Sequence, residues 1–219
     1  MQIPLEVIGL SKIYNNKDAV KDISFKVNKN EIIGILGPNG CGKTTTIGMI
    51  LGLLKPSNGK VLINGIEIEK KRVDLLNHLN FISPYIELPK KLTVKQNLEV
   101  YGRLYDVKNL KKKIEMLIEK LRLSEIINKL TGELSSGQKN RVSLAKSIIN
   151  NPTVLLLDEP TASLDPETGD FVRSFLESYQ KENKASILLA SHNMSEVERL
   201  CSSVPVSYTH LRAHETVHH

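Results

Sequence analysis

Gly37-Pro38-Asn39-Gly40-Cys41-Gly42-Lys43-Thr44 is the stretch from which the fold of this chain is predicted. It fits the pattern G-x-x-x-x-G-K-[ST], and we call it the phosphate loop. It follows an apolar run that predicts a strand over residues 31–36, and it opens a helix predicted over residues 44–53. Glycines let successive backbone N–H groups curl around a phosphate, and the helix points its positive end at the same anion. The loop therefore predicts a nucleoside triphosphate site.

Two side chains of the phosphate loop carry the chemistry of this prediction. Lys43 is expected to reach the β- and γ-phosphates, and the Thr44 hydroxyl is expected to ligate Mg²⁺. Thr45, the next residue of the helix, is also expected to bind the nucleotide. ATP and Mg²⁺ are thus the expected substrate and cofactor.

A second apolar run, residues 154–157, ends in the paired carboxylates Asp158 and Glu159. A buried strand that delivers Asp158 beside the phosphate loop supplies the Mg²⁺ contact that P-loop enzymes use. Glu159 is then placed to orient or deprotonate a water that attacks the γ-phosphate. The second carboxylate predicts hydrolysis rather than transfer to a bound substrate.

The order of predicted elements gives the fold class. Short strands over residues 5–10, 23–27 and 60–63 precede a helical block at 93–150, and strands over 154–157 and 186–190 flank a helix near 170–181. Alternating strands and helices around continuous apolar strands predict an α/β protein with a parallel sheet covered on both faces. The helical block is expected to be an insertion between two strands of that sheet.

Composition excludes several other classes. Of 219 residues, 40% are apolar and 25% charged, which excludes a disordered chain, and two cysteines are too few for a disulfide scaffold. No apolar run approaches the roughly 18 residues of a membrane span, so a cytosolic protein is expected. The net charge of +6 is scattered in small clusters without interleaved aromatic residues, so direct nucleic acid binding is not expected.

Leu134-Ser135-Ser136-Gly137-Gln138 resembles the signature motif of the ATP-binding-cassette (ABC) ATPases, whose usual form has glycine at the position of Ser136. The motif precedes the Asp158 strand at the family's spacing, and the resemblance covers about residues 3–204. It implies that Ser135, Ser136, Gly137 and Gln138 contact the γ-phosphate of the ATP bound to the opposite subunit. By itself the same stretch also fits an ordinary helix cap.

Three further positions follow the family pattern in order. Tyr14 lies where the family stacks an aromatic residue on adenine, and a surface tyrosine of a strand is the alternative. Asp165, in Ser163-Leu164-Asp165, resembles the D-loop of the dimer interface. His192 follows an apolar strand, and the resemblance implies that it hydrogen-bonds the γ-phosphate and aligns Glu159 with the water.

The resemblance implies an ABC ATPase domain over residues 1–204. Its expected parts are a P-loop NTPase core, an N-terminal antiparallel β-subdomain and a helical subdomain inserted at about 85–150. The resemblance also implies that two identical subunits sandwich two ATP molecules and drive an integral membrane permease. The protein is thus expected to be cytoplasmic and peripheral on the inner face of the cell membrane. Residues 85–91 and 93–98 resemble single-cassette subunits of bacterial exporters more than those of importers.

Two alternatives stay open at this point. One is an ABC ATPase without a membrane channel that acts on nucleic acid or ribosomes. Those relatives usually carry coiled coils or two cassettes, and this chain has neither. The other is a nucleotide-binding regulatory module with little turnover, against which the presence of Glu159 and His192 argues.

The chain departs from the family pattern at two places. Pro84 occupies the slot of the Q-loop glutamine that contacts Mg²⁺ and the attacking water. Because proline has no side-chain amide and a fixed φ, slower hydrolysis or a stiffer hinge is expected, with Ser83 as a possible substitute ligand. Residues 205–216 resemble a translated sequencing adapter, although a disordered or metal-binding histidine-rich tail over residues 205–219 is the alternative. A natural chain truncated near Val204 and followed by a non-native or disordered tail is therefore expected.

Overall fold

The computed structural model describes residues 2–84 and 86–207. Its strands are β1 (Leu5–Tyr14), β2 (Lys17–Val27), β3 (Ile32–Leu36), β4 (Asn58–Ile63), β5 (Ile66–Glu67), β6 (Leu79–Ile82), β7 (Val154–Asp158), β8 (Ser186–Ser191) and β9 (Ser203–Ser207). Its helices are α1 (Lys43–Ile50), α2 (Arg72–Leu76), α3 (Val94–Leu104), α4 (Leu110–Lys120), α5 (Ser136–Ser147), α6 (Pro166–Asn183) and α7 (Met194–Leu200). A 3-10 turn at Thr131–Glu133 precedes α5.

The described strands form two sheets. Strands β2-β1-β4-β5 make an antiparallel sheet from the first third of the chain, and β6-β7-β8-β3-β9 make a parallel sheet. The fold class predicted from the sequence, an α/β core with an antiparallel β-subdomain and an inserted helical subdomain, is confirmed.

Residues of the central strands alternate between two hydrophobic clusters. Leu155, Leu157 and Leu189 pack toward α3–α6, whereas Leu156 and Leu188 pack toward α1 and the antiparallel sheet. Because both faces are covered, these strands have continuous apolar sequences rather than alternating ones. Every residue of β7 and β8 is buried.

The helical insertion lies between two neighbouring strands of the parallel sheet. Strands β6 and β7 are neighbours in the parallel sheet, and α3, α4 and α5 all fall between them in the chain. Thr93 opens α3 with a capping box formed with Gln96. Main-chain hydrogen bonds from Val94 N to Lys129 O and from Lys95 N to Ile127 O close the segment at its base.

The parallel sheet brings three loops to one edge. The register pairs Leu36 with Ser191, and Asp158 with Ala190. Because carboxyl ends of parallel strands share an edge, the phosphate loop, Glu159 and His192 leave the sheet side by side.

The predicted domain boundary at 204 falls inside β9. This strand pairs with the edge of β3, and Val206 is buried in the core, so the sheet extends three residues into the segment assigned to a tail. Pro205 is tolerated because β9 is an edge strand of the described sheet. Residues 208–219 of the predicted tail, and Tyr85 in the exporter-like stretch, lie outside the described residues.

Candidate functional site

The phosphate loop is shaped by Gly42, which precedes α1 with a φ of 109°. A Cβ atom at this position would lie 2.4 Å from the main-chain oxygen of Ala19 on β2, so no other residue fits without displacement of the chain. The loop thus rests on the antiparallel sheet, and Gly37 N donates to Ser191 O at the end of β8. Two neighbouring elements fix the cradle in which a phosphate would lie.

Lys43 is folded back into the phosphate loop. Its Nζ donates to Gly37 O at 2.6 Å and to Pro38 O at 3.1 Å, and the residue is 5% exposed. Cys41 is also buried, whereas Pro38, Asn39, Gly40 and Thr44 are exposed and Thr45 is half-buried. The ammonium group is therefore held at the mouth of the loop by the loop's own carbonyl groups.

Asp158 and Thr44 form the candidate metal site. Thr44 Oγ1 donates to Asp158 Oδ2 at 2.9 Å, and Ser83 Oγ lies 3.5 Å from the same oxygen. Burial raises the pKa of Asp158, and the hydrogen bond from Thr44 acts in the opposite direction. The other carboxylate oxygen, Oδ1, is buried and has no hydrogen-bond partner in the described structure.

These atoms fit Mg²⁺. The ion prefers oxygen ligands, takes one or two from protein side chains, and completes its shell with phosphates and water. A carboxylate oxygen without a partner beside a threonine hydroxyl provides those protein ligands. Within residues 2–84 and 86–207 the chain offers no cluster of three His, Cys, Asp or Glu side chains, so an all-protein metal cage is absent there.

Glu159 lies between two cationic or polar partners. Its Oε1 is 3.2 Å from Lys43 Nζ, and its Oε2 is 2.8 Å from His192 Nδ1. The glutamate has a left-handed φ of 52°, a strained conformation that turns its side chain off the end of β7. Its main-chain N donates to Ala190 O at 2.8 Å, which fixes that turn against β8. Lys43, Glu159 and His192, all predicted as site residues, are thus brought into one chain of contacts.

The signature residues form a capped helix start. Ser135 caps α5 by accepting from Gln138 N, and the Gln138 side chain accepts from Ser135 N in return. Ser135 and Ser136 are exposed. A Cβ atom on Gly137 would lie 3.1 Å from Thr168 Cγ2, so glycine lets α5 approach the start of α6. Asp165 caps α6 by accepting from Thr168 N at 2.9 Å.

Tyr14 and Pro84 occupy exposed positions. The Tyr14 ring is 45% exposed at the end of β1, with Lys12 Nζ 5.1 Å from its centroid. Pro84 is exposed, and the preceding residue, Ser83, is the one that approaches Asp158. The suggestion that Ser83 takes part at the metal site is consistent with this distance.

One buried carboxylate escaped the sequence analysis. Glu196 on α7 is 2% exposed and accepts hydrogen bonds from Thr161 and Ser191. The sequence does contain a signal for this residue. Val197 and Leu200 are buried on the same helix, so Glu196 occupies a position on the apolar face. A glutamate on such a face indicates a buried hydrogen-bonding partner.

Comparison with known proteins yields consistent matches. The family model described as ABC transporter matches residues 20–162. The chain is 39% identical over 207 residues to the Nod factor export ATP-binding protein I of Rhizobium johnstonii, covering 93% of this chain and 66% of that protein. It is 36% identical to the ABC transporter ATP-binding protein NatA of Bacillus subtilis, covering 85% of this chain and 76% of that protein. The chain thus spans just under two thirds of the length of the Nod factor export relative.

A solved structure of an ABC transporter subunit also matches this chain in three dimensions. The ATP-binding subunit of an ABC transporter superposes with a TM-score of 0.83 at 27% identity, covering 93% of this chain and 87% of that chain. Across the part of this chain that the structure describes, no helix has the length and apolar character needed to cross a membrane.

Proposed function

The chain belongs to the ABC transporter family as an ATP-binding protein, and on this premise we propose that it hydrolyses ATP to drive export through a separate membrane permease. The observation that carries the proposal is the chain of contacts from Lys43 through Glu159 to His192 at the carboxyl edge of the parallel sheet. This arrangement contains a cation for phosphate, a carboxylate for water and a second polar group that fixes the carboxylate.

Nucleotide binding would begin at the phosphate loop. The β- and γ-phosphates would occupy the mouth of the loop, where Lys43 Nζ now donates to Gly37 O and Pro38 O. Lys43 would exchange its contact with Glu159 for the phosphate oxygens and stabilise the charge that develops during transfer. Tyr14 would stack on adenine, since its ring is exposed at the end of β1.

Thr44 and Asp158 would hold Mg²⁺. The bound ion would neutralise charge on the β- and γ-phosphates. Thr44 Oγ1 lies 2.9 Å from Asp158 Oδ2, so the two side chains are already adjacent before nucleotide enters.

Glu159 would act as the general base. When Lys43 moves to the phosphates, Glu159 Oε1 becomes free to accept a proton from the attacking water. Glu159 Oε2 would stay on His192 Nδ1, which holds the carboxylate in one orientation. His192 is half exposed, so the other nitrogen of its ring can reach a γ-phosphate oxygen.

A second copy of the chain would complete the site. The start of α5 presents Ser135 and Ser136 to solvent, and a helix start attracts anions. In the proposed dimer this helix start would contact the γ-phosphate held by the other copy, together with Gly137 and Gln138, and Asp165 would lie along the interface. Such an arrangement makes hydrolysis depend on dimer formation.

Export is supported by the name of the Rhizobium relative, a Nod factor export ATP-binding protein. We place the protein on the cytoplasmic face of the membrane, where ATP is available and where a permease would hold it. The transported substrate is a property of the permease in this proposal.

The test measures Mg-ATP hydrolysis by the purified chain at increasing protein concentration, beside Glu159→Gln. Specific activity that rises with protein concentration and is lost in Glu159→Gln is the expected result. Concentration-independent activity would contradict the dimer, and unchanged activity of Glu159→Gln would remove Glu159 from the role of base.

A further inference from the structure

Glu196 is a buried carboxylate between the two loops that carry Glu159 and His192. It lies in the first turn of α7 and is 2% exposed. Thr161 Oγ1 donates to its Oε1 at 2.6 Å, and Ser191 Oγ donates to its Oε2 at 2.7 Å. One carboxylate oxygen thus receives a short hydrogen bond from the loop after β7, and the other receives one from the last residue of β8.

The two donors are adjacent in the chain to the proposed catalytic residues. Thr161 follows Glu159 by two positions, and Ser191 directly precedes His192. Ser191 Oγ also accepts from Asn193 N at 3.1 Å, so a hydrogen bond joins the two residues that flank His192. The position of the Glu196 carboxylate therefore constrains the backbone on either side of the Glu159–His192 contact.

Burial makes these two hydrogen bonds obligatory. A carboxylate taken out of water is stable only when its oxygens are hydrogen-bonded, and losing one partner exposes the full desolvation cost. Asn193 Oδ1 accepts from Ser195 N and Glu196 N, so the helix that carries the carboxylate is itself anchored beside His192. The network links the end of β7, the end of β8 and the start of α7 into one unit.

We propose that Glu196 is a positioning residue for ATP hydrolysis, which fixes the Glu159 loop and the His192 loop at the separation where Glu159 Oε2 meets His192 Nδ1. It would act through those two residues and would not touch the nucleotide. The inference rests on the proposed function for its effect on rate, but its effect on His192 can be measured without turnover.

Glu196→Gln is the variant that tests this role. Glutamine has the same shape but only one oxygen, so it can accept from one hydroxyl and must present its amide to the other. Either Thr161 or Ser191 then loses the hydrogen bond that its hydroxyl donates to a carboxylate oxygen. Glu198→Gln is the matched control, because it removes the same charge two residues further along α7 at an exposed position.

The kinetic readout separates positioning from binding. Glu196→Gln should lower kcat for ATP about tenfold or more, since misplacement of a catalytic group by a fraction of an ångström is costly. KM should change by less than about twofold, because the phosphate loop is untouched. Glu198→Gln should match the parent chain in both constants. A rise in KM with unchanged kcat would overturn the proposal.

A double-variant cycle asks whether Glu196 acts through His192. The variant with both Glu196→Gln and His192→Ala should lose clearly less rate than the product of the two single losses, since residues that act as one unit are not additive. If the two losses multiply, Glu196 does not act through His192 and the inference fails.

A spectroscopic readout is independent of hydrolysis. The ring ¹⁵N resonances of His192 should move in Glu196→Gln and stay in place in Glu198→Gln. If the parent chain fails to hydrolyse ATP, the proposed function fails while this spectrum still decides the positioning role. Should Glu196→Gln fail to fold, Thr161→Val and Ser191→Ala each remove one of the two donors, and the same resonances should move in both. Unmoved His192 resonances would overturn the inference.

Discussion

Lys43 Nζ lies 3.2 Å from Glu159 Oε1, so the cation of the phosphate loop is paired with the carboxylate proposed as general base. Both side chains are largely buried, at 5% and 11% exposure, which strengthens their attraction relative to a surface pair. The proposed substrate must therefore displace a carboxylate from Lys43 before its γ-phosphate can take that place. This competition has a consequence for affinity that can be measured.

Glu159→Gln should bind ATP more tightly than the parent chain. The substitution removes the competing anion from Lys43 and relieves repulsion between Glu159 and the γ-phosphate. We expect the Kd for ATP to fall about tenfold, which corresponds to about 1.4 kcal/mol. Titration calorimetry with Mg-ATP measures this change directly.

ADP is the control ligand for that experiment. It lacks the γ-phosphate that must compete with Glu159, so its Kd should change much less than the Kd for ATP. An equal gain in affinity for both nucleotides would mean that the Lys43–Glu159 pair is not displaced by the γ-phosphate. Glu198→Gln, an exposed carboxylate on α7, controls for the change in net charge.

Pro84→Gln should raise the rate of Mg-ATP hydrolysis severalfold. Glutamine at this position supplies a side-chain amide that can contact Mg²⁺ and the attacking water. Proline has no polar side-chain atom and can make neither contact. Steady-state hydrolysis with saturating Mg²⁺ is the measurement. An unchanged rate would show that the slot does not limit turnover in this chain.

Pro84→Ala separates the effect of the missing side-chain amide from the effect of the fixed φ of proline. Alanine releases the fixed φ of proline but adds no polar group. If Pro84→Ala accelerates hydrolysis as much as Pro84→Gln, then backbone stiffness and not the missing amide was limiting. Ser83→Ala provides a further comparison, because Ser83 Oγ lies 3.5 Å from Asp158 Oδ2 and its loss should raise the Mg²⁺ concentration needed for half-maximal rate.

The meeting of the phosphate loop, Glu159 and His192 at one edge of the parallel sheet could be predicted from the sequence because its signals are local. The phosphate loop has a fixed spacing of glycines and lysine, and β7 is a continuous apolar run that ends in Asp158. Parallel strands then place their carboxyl ends together by geometry alone. Contacts between side chains from different elements, such as Lys43 of α1 with Glu159 after β7, depend on tertiary packing and cannot be read from the spacing of residues.

The elements that sequence analysis missed are those with weak local patterns. Strand β5 has two residues, too few for any alternation to be visible. Strand β9 contains Pro205 and has one described core residue, Val206, so its sequence resembles a loop until the edge of β3 is there to pair with it. Helix α7 has seven residues and two buried apolar ones, Val197 and Leu200, so its helical period is too short to stand out in the sequence.

Gly42→Ala should destabilise the fold far more than Gly65→Ala. Both glycines have positive φ, so alanine at either costs about 1 kcal/mol of backbone strain. A Cβ atom at Gly42 would also meet Ala19 O at 2.4 Å, whereas Gly65 has open space around it. We expect a total loss of about 3 kcal/mol or more at Gly42.

Equilibrium unfolding in urea measures both glycine variants against the parent chain. The difference between them reports the contact of the phosphate loop with β2 together with the larger backbone strain at Gly42, whose φ of 109° lies further from the left-handed region than the 75° of Gly65. Equal losses would mean that the loop and the antiparallel sheet move apart freely to accept a side chain. The architecture would then lack the rigid support that we assign to the cradle.

Because Lys146 is buried, we predict that the free energy of unfolding rises with pH. This lysine of α5 is 9% exposed, its Nζ lies 4.8 Å from the Phe81 ring centroid and 5.2 Å from that of Tyr101, and it donates to Asn80 Oδ1. Burial lowers the pKa of Lys146 to about 8, well below the value of about 10.4 in an unfolded chain. Between these two values the unfolded chain binds more protons, so folding becomes more favourable as pH rises.

The variant Lys146→Met isolates this contribution, because methionine keeps the apolar stem without a titrating group. From pH 8 to pH 10, the free energy of unfolding of the parent chain should increase relative to Lys146→Met by on the order of 2 kcal/mol. Below about pH 7 the difference between the two should be flat, since the lysine is then protonated in both states. Lys113→Met, which replaces a partly buried lysine on α4 that donates to Asn151 Oδ1, is the comparison and should show a smaller slope. A parallel pair of curves for the parent chain and Lys146→Met would show that the rings of Phe81 and Tyr101 stabilise the ammonium group enough to cancel the cost of its burial.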